Sequence, residues 1–143
     1  KVGDYQEGVT MAFLVDFLEQ EQPVKRIYVQ TSSTGYPAGF FPESILAECP
    51  VDVALLAMDC ANIKRHRRKR SIIDYLQPSH VIFCHWEDFF EPKAGVPKEI
   101  VKVDLPDLKQ FFAAQTDRNY LFPYWNSRFV FADQSYRELR LRP

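Results

Sequence analysis

At 143 residues, 46% hydrophobic and 15% aromatic, the chain can bury one real core and is too short for two domains of ordinary size. Lys and Arg number 18 against 19 Asp and Glu, and the resulting net charge of -1 excludes a globally basic surface for nucleic acid or anionic membrane. Cys49, Cys60 and Cys84 form no CxxC pair or dense disulfide framework, and no apolar run approaches the roughly 20 residues of a membrane helix, so a soluble, cytoplasmic α/β unit is expected.

Residues 9–18, Val-Thr-Met-Ala-Phe-Leu-Val-Asp-Phe-Leu, read as a β-leaning apolar run that ends in the turn-friendly stretch 19–23. Residues 25–30 supply a second strand through Ile27, Tyr28 and Val29, and the two predict a hairpin. The polar loop 31–39 follows, with Gly35 and Gly39 permitting unusual backbone angles. Pro42 suits the first turn of a helix through Ile45 and Leu46 that Pro50 ends. Residues 51–58 form a nearly continuous apolar strand, broken only by Asp52, the pattern of a strand buried on both faces.

The run 64–70, Lys-Arg-His-Arg-Arg-Lys-Arg, leads into Ile72, Ile73 and Leu76 at helical spacing, and Pro78 stops that helix. Residues 80–85 make the next buried strand, through Val81, Ile82, Phe83 and Cys84, with Trp86, Glu87 and Asp88 continuing into a loop. This β-α-β alternation predicts a parallel core. Ile100, Val101 and Val103 suggest a short strand, Asp104 a cap for a helix holding Leu108, Phe111 and Phe112, and the aromatic tail 120–132 a hairpin around Trp125-Asn126-Ser127. No internal repeat or linker divides the chain, so residues 1–143 are read as a single domain or half-domain.

His85 is the leading candidate for chemistry, because it ends the most apolar strand, where an α/β sheet presents side chains to a ligand. A neutral imidazole there suits a zinc ligand, with its second nitrogen oriented by Glu87 or Asp88; the competing reading is a hydrogen-bonded structural histidine. Thr31 and Ser33, in the loop after an earlier strand, can line a pocket, although the glycine spacing matches neither the Walker nor the dinucleotide pattern. Asp59 and Cys60 follow the strand before that of His85 and belong at the same sheet edge, but buried cysteines are usually packing groups. The basic run 64–70 can meet phosphates by charge alone; it lacks interleaved aromatics and a nucleic-acid-binding motif, which favours a solvated face.

Taken in order, the strand near 12–17, Arg26-Ile27-Tyr28-Val29-Gln30 with its loop, the strand 52–57 and Val81-Ile82-Phe83-Cys84-His85-Trp86-Glu87-Asp88-Phe89-Phe90 resemble the C-terminal half of metallo-β-lactamase-fold hydrolases. The resemblance implies one half of an αββα architecture, a mixed sheet with flanking helices, and a bound zinc or other divalent metal whose last histidine ligand is His85. It implies further that metal-activated water attacks an ester, amide or phosphodiester of a small-molecule substrate. Two departures stand out. Where the family places an acidic ligand this sequence has Thr31, Ser32 and Ser33, and the family's His-x-His-x-Asp-His segment occurs nowhere in it. The Lys1 start and these departures lead to the expectation of a partial, inactive or altered chain, with a homodimer or a missing N-terminal half completing the structure; the rival is a non-catalytic scaffold derived from the fold.

Overall fold

The structure, a computed structural model, describes residues 11–30, 37–57, 71–88, 98–99, 105–115, 117–123, 127–132 and 135–140. The expected hairpin is present as β1 (Phe13–Glu19) and β2 (Gln22–Gln30), paired antiparallel with Asp16 opposite Arg26 and Val15 opposite Ile27. The first strand starts at Phe13 rather than at residue 9. Gln20 and Glu21 join the strands with φ of 49° and 67°. Two consecutive left-handed residues are the signature of the type I′ turn, whose twist matches that of the flanking strands.

From Gln30 the chain alternates as the apolar runs predict: α1 (Glu43–Glu48), β3 (Val53–Ala57), α2 (Ile72–Leu76), β4 (His80–Cys84), α3 (Leu105–Ala113) and β5 (Asn119–Leu121). Ser71 caps α2 by accepting the Asp74 amide at 3.0 Å, and Gln77, at φ 49°, closes the helix before Pro78. The sheet order is β1-β2-β3-β4-β5, with β2 through β5 mutually parallel, so the α/β class and the mixed sheet both hold.

This strand order decides where the helices lie. Crossovers between parallel strands are right-handed almost without exception, so a sheet laid down in one direction without reversal receives all its helices on one face. Leu14, Tyr28, Ala54 and Val81 share that face, and the core joins them and Leu56 and Phe83 to Ile72, Ile73 and Leu76 of α2 and to Leu105 and Phe112 of α3. The rings of Phe83 and Phe112 lie 4.8 Å apart. Each such buried side chain contributes on the order of 1.5–3 kcal/mol.

The opposite face carries Phe13, Val15 and Phe17 on β1, Ile27 and Val29 on β2, Leu55 on β3 and Ile82 on β4. It opens toward β1, where Phe13, Val15 and Phe17 are 51%, 45% and 52% exposed. At its other end it meets a second, two-stranded sheet of β6 (Ser127–Ala132) and β7 (Ser135–Arg140).

The tail departs from expectation. Its hairpin turns after Ala132 rather than around Trp125-Asn126-Ser127, and Asn119–Leu121 instead extends the main sheet beside β4. The cause is packing: Tyr120 stacks on Phe112 at 4.6 Å and on Phe83 at 6.3 Å, contacts that only a place in the main sheet provides. The expected strand at 100–103, the Asp104 cap and the basic run 64–70 lie outside the described residues.

Candidate functional site

Parallel pairing brings the carboxyl ends of β2, β3 and β4 to one edge: Gln30 is in register with Leu56, Leu56 with Phe83, and Ala57 with Cys84. Such an edge is where open α/β sheets bind ligands. Thr31, Ser33 and Asp59 follow the first two strand ends in the sequence and lie outside the described residues, as does Cys60.

His85 lies at this edge, one residue beyond β4 rather than inside it. Its φ of 58° is left-handed, a conformation that costs a residue bearing a Cβ about 1–2 kcal/mol. The turn lets consecutive residues part company: the His85 side chain is exposed, while Trp86 is 3% exposed and joins the core. Strain held at one exposed, chemically competent side chain is characteristic of functional sites.

The next two residues are braced through the backbone. Glu87 forms an isolated antiparallel bridge with Glu99, and the Asp88 amide donates to the Lys98 carbonyl at 2.6 Å. Glu87 Oε2 is shielded from solvent and has no hydrogen-bond partner among the described residues. A buried carboxylate oxygen without a donor is costly and unusual. His85 and Glu87, with the buried Trp86 between them, thus stand two residues apart at this edge. No group of three or more metal-ligating side chains occurs among the described residues.

On the helix-covered side of β2, Gln30 is 1% exposed and its Oε1 lies 2.7 Å from the Tyr28 hydroxyl. Gly39 brings its backbone onto the same pair at φ 85°, and a Cβ there would collide with that hydroxyl. The absence of a side chain at Gly39 therefore fixes how closely the loop after β2 approaches the sheet.

At the opposite edge a cluster that the sequence did not single out ties three elements together. Arg26, 1% exposed, donates from Nε and Nη2 to the two oxygens of Asp16 at 2.6 and 2.8 Å. Its Nη1 donates to the carbonyls of Ile45, inside α1, and of Cys49, which caps its carboxyl end. Asp16 is held below the usual carboxylate range, chiefly by the guanidinium hydrogen bonds, and the Arg26 guanidinium is raised by the same bonds. The signal available in the sequence was a lone acid, Asp16, inside an apolar strand, opposite a base across a short hairpin.

No family model, curated protein or solved structure matches this chain.

Proposed function

We propose that this chain is the helix-backed half of a two-sheet, metal-dependent hydrolase of the metallo-β-lactamase type, with His85 as a metal ligand. The observation that carries the reading is the position of His85: exposed, left-handed, and at the edge where three parallel strands end. The sheet supports it, because an apolar face with no helix against it among the described residues is what half of a sheet-on-sheet sandwich presents.

In this reading Glu87 or Asp88 orients the imidazole through its second nitrogen, and Thr31, Ser33 and Asp59 belong to the pocket wall. A bound divalent metal would bring water to near-neutral pKa for attack on an ester, amide or phosphodiester. Hydroxyls in place of a bridging carboxylate argue for one metal rather than two. Three or four protein ligands are the rule, so ligands beyond His85 are required, from residues of this chain outside the described ones or from a second layer over the open face.

The second reading, a non-catalytic scaffold on the same fold, is favoured by the lack of a three-ligand cluster among the described residues. Elemental mass spectrometry on protein purified without a histidine tag separates the two. Zinc, manganese or iron present in the wild type and lost in His85→Ala is the outcome expected for the hydrolase, whereas metal absent from both, or retained by the variant, leaves the scaffold.

A further inference from the structure

Far from His85, a cavity of about 560 Å³ lies between the amino-terminal ends of β3 and β4 and the β6–β7 hairpin. Its floor is one register row of the open face, Ile27, Val53 and His80. Phe129 and Phe131 of β6 wall it, with Phe131 packed on the His80 ring at 4.5 Å. His80 is 1% exposed and its Nδ1 lies 3.1 Å from the side-chain Nδ2 of Asn119, so the ring is held as part of the floor.

The rim is charged and unbalanced. Lys25 pairs with Asp52 Oδ1 at 3.0 Å, and Asp52 Oδ2 accepts the Arg26 amide at 2.9 Å, which leaves that carboxylate fully engaged. Arg128, exposed at the mouth, forms no ion pair with any described residue. Among the described lining residues Lys25 is offset by Asp52, and Arg128 offers a guanidinium, the group best shaped to grip a carboxylate through two parallel hydrogen bonds.

We propose that this cavity binds a monoanionic carboxylate with an apolar body, of the medium-chain or aromatic acid class, with the carboxylate on Arg128 and the body against Val53, Phe129 and Phe131. The volume falls within the range of about 300–1,000 Å³ usual for small-molecule sites that combine apolar walls with few polar anchors. The site is separate from the His85 edge.

Titration calorimetry with decanoate below its micellar concentration, with decanol as the uncharged control, tests the proposal. The wild type and His85→Ala should bind decanoate alike, and Arg128→Gln, a change at an exposed side chain, should weaken decanoate at least about tenfold while leaving decanol unchanged. Added salt should weaken decanoate alone. No decanoate binding by the wild type, or equal binding by Arg128→Gln, would overturn the proposal, the latter by placing the acid elsewhere on the open face.

Discussion

Asp16 and Arg26 stand directly opposite one another in the β1–β2 ladder, and the forked ion pair between them faces α1. Arg26 also holds the Ile45 and Cys49 carbonyls, so this single side chain joins the hairpin to the first helix. Arg26→Met, which removes four donated bonds, is expected to cost about 2–4 kcal/mol, and Asp16→Asn, at a partly solvated carboxylate, about 1–2 kcal/mol. Chemical denaturation of both variants checks the order. Because the Asp16 pKa is lower folded than unfolded, its contribution is present above the ordinary carboxylate value and disappears as pH falls through the folded value. Acid unfolding of Asp16→Asn should therefore be less steep than that of the wild type.

The hairpin turn holds two non-glycine residues in left-handed backbone, Gln20 and Glu21. Asn-Gly is the pair best suited to a type I′ turn, so the double change Gln20→Asn and Glu21→Gly should stabilise the protein by about 0.5–1.5 kcal/mol. A thermal melt showing an unchanged or lowered midpoint would contradict the turn assignment.

Tyr120, packed against Phe112 and Phe83 with its hydroxyl on Gln115 Oε1 at 2.9 Å, has its phenol pushed up to about 12, mainly by burial. Since the folded value exceeds the unfolded one, the stabilisation is intact below the ordinary phenol pKa and is lost as pH rises toward the folded value. Ultraviolet titration of the phenols should show one that ionises above the ordinary range and that Tyr120→Phe removes.

The open face makes a claim about association. Phe13, Val15 and Phe17 lie in one row on an edge strand and are each about half exposed. An apolar surface of this kind favours pairing with another layer. The triple change Phe13→Thr, Val15→Thr and Phe17→Thr should shift the protein toward monomer in analytical ultracentrifugation, and a wild type that is monomeric at all concentrations would count against a second copy as the cover.

Much of this fold was legible because apolar periodicity and proline placement are local signals. The runs at 51–58 and 80–85 became β3 and β4, and Pro78 stopped α2 where expected. The tail was not legible: Tyr120 and Phe129 look alike in sequence, yet one packs on Phe83 in the main sheet and the other walls a cavity from β6, a difference set by long-range packing. For the candidate site, the prominence of His85 could be read from its place after an apolar strand. Its left-handed backbone could not, because no glycine or asparagine announces it. The ion pair of Arg26 escaped notice because burial of a charge becomes evident only once the partners from three elements are assembled.

The central claim is that His85 is presented for metal. Histidine-ring NMR during a zinc titration tests it most directly, since buried His80 serves as an internal control. The account predicts that the His85 resonances move with zinc, return on chelation, and disappear in His85→Gly, whose backbone suits the left-handed turn. His85 resonances that stay fixed under zinc, or a metal response that persists unchanged in His85→Gly, would contradict it.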